Sequence, residues 1–364
     1  MNYCDKIHYS HLTASAADFP AMIDDLLSRM PKKGTVLRLV LFGVPVSGEE
    51  YVAQRRMLRT KVRAFFGDCE PAFSYVLQPV LNASLVMEVH SYLPDADERV
   101  FYRQYENLPY VLVENESGRF LFASGFQGDE AYKDMEQRSV EAFRQLKGVL
   151  DKESFLVGNI VRQWNYIEQI TGYDETGQHY QSFNNVRTAF YAGNDWSKGY
   201  PAATGIGMSR GGVLIDVDAA MLYTPDAFVT PIDNKLQVAA HAYSEQVLEE
   251  ARQKKTTPKF ERAKSMTFHG RRLVYISGTA AIRGEESLKG VGLERQLQIT
   301  MENIAQLIDD ARLMMLRVYL KNESDYDEAK RGIESYGLNI PVSFLQAGVC
   351  REELLIEIEG IAMK

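Results

Sequence analysis

The sequence predicts an α+β protein in which one structural unit recurs along the chain. Three observations carry this expectation. A strand ending in a Ser-Gly turn occurs twice, at Arg119–Gly125 and at Arg272–Gly278. Each copy is followed by the same order of elements: helix, strand, helix, and a closing pair of strands. Each closing strand sets a carboxylate among apolar residues, Asp216 in one copy and Glu357 in the other, with Glu88 as the counterpart in a fainter first copy. Similarity over so long a period denotes a duplicated or triplicated domain rather than a short solenoid repeat. Helices on one face of a mostly antiparallel sheet leave its second apolar face uncovered. Three units closing around a common axis would cover those faces, giving a pseudo-trimer in one chain.

The elements follow in order. Asp18 caps a short helix to Met30, with Pro20 in its first turn and Pro31 at its stop. Val36–Val46 is an apolar strand, and Glu49–Phe66 has helical spacing that ends at Gly67. Pro71–Pro79 leads into the strand Leu85–His90, which carries Glu88. In the second passage, Met135–Leu150 is an amphipathic helix, Phe155–Ile167 a strand-like run, Tyr180–Tyr191 a helix, and Pro201–Met208 with Val213–Ala219 the closing pair. In the third, Leu293–Ala311, Met314–Leu320, Tyr326–Tyr336, Pro341–Cys350 and Leu354–Ile361 repeat that plan. The expected division is a degenerate first unit over residues 1–115, a second unit over 116–223, a connector over 224–259 with a helix from Gln237 to Arg252, and a third unit over 260–364.

Composition narrows the function classes. A formal charge of −8 argues against broad nucleic-acid binding and gives no pull towards anionic membranes. No apolar run approaches the ~20 residues of a membrane span, and the N-terminus lacks a basic region followed by an apolar core. Cys4, Cys69 and Cys350 are too widely spaced for a disulfide framework or a zinc site. A reduced, cytoplasmic setting is expected. Scattered histidines, and the lack of a phosphate-binding or dinucleotide glycine loop, leave no cofactor and no metal expected. The expected partner is a small molecule, with the chain a monomer or a weak homo-oligomer.

Arg272–Gly278, the helix opening Leu293-Glu294-Arg295-Gln296, Arg317–Leu320 and Leu355–Glu359 resemble the Rid/YjgF family. That resemblance implies interfacial ligand sites and the chorismate mutase-like α+β unit, and in many members an enamine/imine deaminase activity. A narrower resemblance spans Arg162–Ile167, Tyr180–Arg187, Pro201–Gly207, Phe260–Ala263, Ile276–Ala280 and Cys350-Arg351 ahead of Glu357. These runs, in this order, resemble the chorismatase family. The resemblance implies an enzyme that releases pyruvate from chorismate and leaves a hydroxybenzoate, with 3-hydroxybenzoate favoured, or a dihydroxycyclohexadiene carboxylate. A non-catalytic Rid-like metabolite-binding module is the alternative. An imine deaminase is disfavoured, because the Arg that follows the Pro of the penultimate strand in such enzymes is replaced by Val342 and by Ala202.

The chemistry assigns candidate roles. Leu355, Glu357 and Glu359 share one face of the last strand. A carboxylate in a dry apolar strand keeps its proton near neutrality, so Glu357 is the expected proton donor to the enolpyruvyl carbon, while Glu359 is read as an ordinary strand acid. Chorismate's carboxylates need fixed guanidiniums, for which Arg187 and Arg351 are the candidates. Tyr180 and Asn184 share Arg187's helix face at spacings of four and three. Thr204, Gly205, Ser277 and Gly278 offer close backbone approach to a ligand. The resemblance implies a chemical role for Cys350 and a pocket position for Ala280, where Ala281 is the alternative. Trp164 and Tyr166 are read as core.

Overall fold

The computed structural model describes the chain apart from Met1, Ala17, residues 243–248, Ala251, Arg252 and Lys255. It contains three sheets that share one core topology. In the third, the strand order is Val342–Gln346, Arg312–Leu320, Ile356–Met363, Arg271–Ala280, Ala263–Phe268, Ala227–Ile232. The first two strands of that order run parallel and every other neighbouring pair is antiparallel. The second sheet repeats this order with Ala202–Met208, Ile160–Glu168, Val213–Leu222, Gly118–Gly128, Leu108–Asn115 and Arg99–Tyr105. The first sheet keeps only the inner four: Ala72–Leu77, Thr35–Gly43, Leu85–Tyr92 and Ile7–Ala14. The first sheet is thus the smallest of the three.

Strand register fixes the equivalences. Each middle strand carries one buried arginine on its inner face: Arg38, Arg162 and Arg317. Across the antiparallel ladder these face His90, Asp218 and Glu359 on the closing strands. Two residues earlier on each closing strand stand Glu88, Asp216 and Glu357, which makes the three embedded carboxylates equivalent.

The helices pack on the outer faces. Phe19–Ser28 and Gly48–Phe66 cover the first sheet, Met135–Lys152 and His179–Tyr191 the second, and Leu293–Ile308 and Tyr326–Glu334 the third. Asp18, Ser47 and Asp134 cap three of these helices by accepting a backbone N–H, as side chains of this kind do at N-termini. The inner faces of the three sheets meet. Two further apolar clusters draw residues from all three units. Along Arg312–Leu320, Met315 belongs to one of them and Tyr319 to the other, with Arg317 between. A charged layer thus separates two apolar plugs.

Several expectations are shifted. The strand Ile7–Ala14 was not anticipated; its side chains are mostly half-exposed, so no apolar periodicity marks it. The hairpin of Arg99–Tyr105 and Leu108–Asn115 pairs with Gly118–Gly128 and so extends the second sheet, ahead of the expected start of that unit at 116. Ala227–Ile232 leaves the expected connector to form the edge of the third sheet. The strand in 155–167 begins only at Ile160, after a 3-10 turn. Part of the helix expected from Gln237 to Arg252 lies outside the described residues; the described part is not helical as expected but holds a short 3-10 turn at Ala240–Ala242 and, at Glu249–Glu250, a strand paired with Gln253–Lys254.

Candidate active site

The closing strand Ile356–Met363 is buried at every position, between two antiparallel neighbours. Its register against Arg271–Ala280 shifts between Ile276 and Thr279, so Ser277 and Gly278 form a bulge. Glu357 passes against that bulge. A Cβ on Gly278 would lie 2.0 Å from Glu357 Oε1, so only glycine admits the carboxyl here.

Glu359, one pleat further along the same face, is the hub of the charged layer. Arg317 Nη1 donates to its Oε1 at 2.9 Å, and the Tyr319 hydroxyl donates to the same oxygen at 2.9 Å. Arg162 and the Thr204 hydroxyl both donate to Oε2. Arg317 also forks onto Glu88 through Nε and Nη2, at 2.8 and 2.6 Å to Oε2, and reaches the Tyr166 hydroxyl at 2.8 Å. Arg38 pairs with Asp218 at 2.6 Å. The pairing is cyclic: the first unit's arginine binds the second unit's acid, the second's binds the third's, and the third's binds the first's. In the first unit His90 occupies the position of Asp218 and Glu359, so Arg317 uses Glu88 instead. The Trp164 ring lies 5.0, 4.6 and 5.6 Å from the guanidinium carbons of Arg38, Arg162 and Arg317. It is core, as expected, and its face carries the three cations. Glu359 is thus corrected from an ordinary strand acid to the anchor between the second and third units.

These surroundings separate the two acids. Burial pushes Glu359 up, but Arg162 and Arg317 outweigh it and hold the carboxyl below its usual range. Burial raises Glu357, the Glu359 charge raises it further, and the net result is about 8 despite Arg262, Arg162 and Arg351. At neutral pH one face of one strand therefore holds a carboxylate and, beside it, a carboxylic acid.

Glu357 opens into a cavity of about 130 Å³ between the second and third units. The helix His179–Tyr191 forms one wall with Tyr180, Asn184 and Arg187, as their spacing predicts. Arg187 is 1 % exposed. Its Nη2 donates to Asn184 Oδ1 at 2.5 Å, its guanidinium lies 5.4 Å from the Phe183 ring centroid, and its Nε has no protein partner. Among the described residues it belongs to no ion pair. Burial pushes the Tyr180 phenol up to about 12, which keeps it a donor. Gly205, Gly278 and Ala280 complete the floor; at 205 a side chain would meet the Tyr180 ring at 2.9 Å. The alternative at 281 does not line the cavity, although Ala281 is buried.

Cys350 and Arg351 close the far side. Arg351 donates to the Glu285 carbonyl at 2.9 Å and the Ser287 hydroxyl at 3.0 Å, which ties the cavity wall to the short hairpin behind it. Burial, then the charge of Glu357, pushes the Cys350 thiol up to about 12. It stands beside the acid as a neutral thiol.

Two expected ligand contacts are corrected. Thr204 and Ser277 do not line the cavity. The alternation of a strand turns Thr204 inward, where it bonds Glu359 and accepts from the Gly278 N–H at 3.0 Å. Ser277 accepts from the Ala203 N–H at 2.8 Å and donates to the Glu261 carbonyl at 2.6 Å, stitching the units together behind the wall. Arg262, Phe260, Gln181 and Leu354 line the cavity and were not among the candidates. Arg262 and Phe260 lie in the run Phe260–Ala263 that carried the chorismatase resemblance, but no role was assigned to either. No cluster of three or more His, Cys, Asp or Glu side chains able to hold a metal is assembled among the described residues.

Residues 102–219 match the family described as chorismatase FkbO/Hyg5-like, N-terminal. A solved chorismatase structure superposes on 98% of this chain and 99% of its own, with a TM-score of 0.68 at 19% identity. The chain has the chorismatase fold. Among curated relatives, a 3-hydroxybenzoate synthase of Streptomyces hygroscopicus is 27% identical over 232 residues, covering 58% of this chain and 65% of the relative. A chorismatase of Streptomyces rapamycinicus is 27% identical over 222 residues, covering 56% and 64%. The chain thus spans just under two thirds of the length of these curated relatives. The matched segment contains Tyr180, Asn184, Arg187 and Gly205 of the cavity wall, and Arg162 of the charged layer.

Proposed function

We propose that the cavity converts chorismate with release of pyruvate. The observation that carries this reading is the buried Glu357 carboxyl, with no cation bonded to it and pushed up to about 8, in one cavity with the buried Arg187, which belongs to no ion pair among the described residues. Cleaving an enol ether begins with proton transfer to the methylene carbon. Carbon accepts protons slowly, so the donor must be positioned and still hold its proton at working pH. Glu357 meets both needs, in the pattern where environment keeps one carboxylic acid neutral beside an ionised one. The fixed cations are suited to chorismate's two carboxylates. Arg187 grips one, and Arg351 with Arg262 provides positive potential for the other.

Protonation by Glu357 turns the enolpyruvyl group into an oxocarbenium ion and leaves Glu357 as a carboxylate. Capture of that ion by water gives a hemiketal, which collapses to pyruvate and the ring alcohol; this route consumes one water. Transfer within the substrate followed by aromatisation gives pyruvate and a hydroxybenzoate with no net water consumed. The second outcome, as 3-hydroxybenzoate, is favoured here. Cys350 lies in the cavity wall where the resemblance puts the thiol of hydroxybenzoate-forming enzymes, and one relative is named for that product. Its thiol is neutral, so it acts as a polarisable wall and weak donor beside the reacting group rather than as a thiolate.

A non-catalytic carboxylate-binding module would use the same arginines but gives no reason for an acid raised to about 8 beside them. The test is incubation with chorismate followed by chromatographic identification of products. Pyruvate with an equimolar amount of 3-hydroxybenzoate is expected. Saturable binding with no pyruvate would favour the binding module.

A further inference from the structure

The three interfaces between units are related by the repeat, and they have diverged. Where the third unit meets the first, Glu88 is consumed by Arg317 and by the Ser343 hydroxyl at 2.7 Å. The interface between the second and third units holds the cavity above. The interface between the first and second retains a groove of about 280 Å³ at the corresponding place. Its parts correspond by register. Ser74 stands where Thr204 does on the penultimate strand. Gly125 lies in the same strand bulge as Gly278. Asp216 takes the position of Glu357, and the helix Gly48–Phe66 takes that of His179–Tyr191.

The groove differs from the cavity in its acid. Asp216 is fully buried, and burial raises it, but both of its oxygens are engaged within the protein. Oδ2 accepts from the Ser74 hydroxyl at 2.7 Å and Oδ1 from the Gly125 N–H at 2.8 Å. It is absent from the groove surface. No proton donor equivalent to Glu357 is presented there.

What the groove does present is a binding set. Arg55 and Arg59, one helical turn apart, line it together with Arg56. The nearest ion-pair partners are Asp129 for Arg55 at 4.0 Å and Glu70 for Arg59 at 3.9 Å, both beyond hydrogen-bond distance. Phe73, Leu108 and Leu214 give an apolar lining. Gln127, 5 % exposed, also lines the groove. Its amide nitrogen is committed to Gly211 O at 2.7 Å and to Tyr51 at 3.0 Å, while its Oε1 is buried with no partner. A buried acceptor without a donor is costly unless something fills it.

We propose that this groove is a second ligand site, binding a small hydroxylated aromatic carboxylate without transforming it. The carboxylate lies between Arg55 and Arg59, the ring packs on Phe73 and Leu214, and the hydroxyl donates to Gln127 Oε1. The assignment rests on the groove's own groups and does not depend on turnover at Glu357, although the product favoured above belongs to this ligand class.

The test is calorimetric titration with 3-hydroxybenzoate and with benzoate. Wild type, Arg55→Ala/Arg59→Ala, Gln127→Leu and Arg187→Ala are compared, with thermal melts to confirm folding. Arg55 and Arg59 are partly exposed on a helix surface, so the double variant keeps its core. The expected result is a class of binding that weakens at least tenfold in the double variant and persists in Arg187→Ala. In Gln127→Leu that class no longer prefers 3-hydroxybenzoate over benzoate. Chorismate conversion by the double variant, measured without added ligand, stays at the wild-type level. Titration of the double variant indistinguishable from wild type, or binding wholly abolished by Arg187→Ala, would overturn the proposal. The groove is read by its own variants, so an inactive Glu357 cavity leaves this test intact.

Discussion

Glu357 and Glu359 lie two residues apart on the same face of one strand, and burial raises both, yet their acidities move in opposite directions. Glu359 is drawn down by Arg162 and Arg317, and its retained charge helps hold Glu357 at about 8. The charged layer that joins the three units and the acidity of the candidate catalytic group are therefore one device.

That device fixes a pH dependence. Catalysis that needs protonated Glu357 should be level through neutrality and fall about tenfold per pH unit above about 8. The same raised value bears on stability. Between the ordinary value of 4.5 and about 8 the folded chain keeps a proton that the unfolded chain has released, so this group's contribution to stability declines as pH rises through that window. Glu357→Gln lacks this term. Its melting temperature relative to wild type should rise steadily across the window, which paired thermal melts at several pH values would check.

Glu359→Gln removes the charge that serves two guanidiniums. Uncompensated buried cations of this kind destabilise by about 3–5 kcal/mol, so denaturant unfolding should show a loss of that order. Any folded fraction should also have the alkaline limb of its rate profile moved to lower pH, because Glu357 has lost the neighbouring negative charge. A limb moved upwards would contradict the electrostatic coupling.

Gly278→Ala places a methyl carbon where Glu357 Oε1 now sits. Turnover should fall by at least tenfold while the melting temperature changes little, since the conflict is with a side chain and not with the backbone. Wild-type activity in this variant would show that the carboxyl does not need its place over the bulge.

Arg187→Met keeps the packing against Phe183 and deletes the cation. A charged hydrogen-bond pair contributes about 1.5–3 kcal/mol, so kcat/KM should drop by roughly 10- to 150-fold, with much of the loss in KM. Arg187→Lys should recover only part of it, because an ammonium cannot fork onto a carboxylate.

Cys350 offers a chemical check on its own protonation. With Cys4 and Cys350 both pushed up to about 12 by burial and Cys69 exposed, brief alkylation at neutral pH should label Cys69 alone. Cys350→Ala should still release pyruvate and should change the aromatic product. Unchanged product would remove the thiol from the account.

Much of this was legible in the sequence. The Ser-Gly pairs at Gly125 and Gly278 marked the repeat, although they prove to be bulges within strands that run on to Gly128 and Ala280 rather than strand ends, and the embedded acids Glu88, Asp216 and Glu357 proved equivalent by register. Tyr180, Asn184 and Arg187 shared a face by helical spacing alone. Other features could not be read locally. Whether Thr204 or its neighbours Ala203 and Gly205 face the ligand depends on the phase of a strand relative to an adjoining unit. Ser277 turns away because of a bulge whose register needs its partner strand. Glu359 gains its meaning from Arg162 and Arg317, which arrive from different units. The edge strand Ile7–Ala14 had no apolar alternation to announce it.

The most direct measurement is pyruvate release from chorismate at pH 7 by wild type and by Glu357→Gln, with the variant's fold checked by circular dichroism. The account predicts turnover in wild type and a loss of at least ~100-fold in the variant, in line with removal of a general acid, with chorismate still bound. A folded Glu357→Gln protein that releases pyruvate at a rate near that of wild type would contradict it.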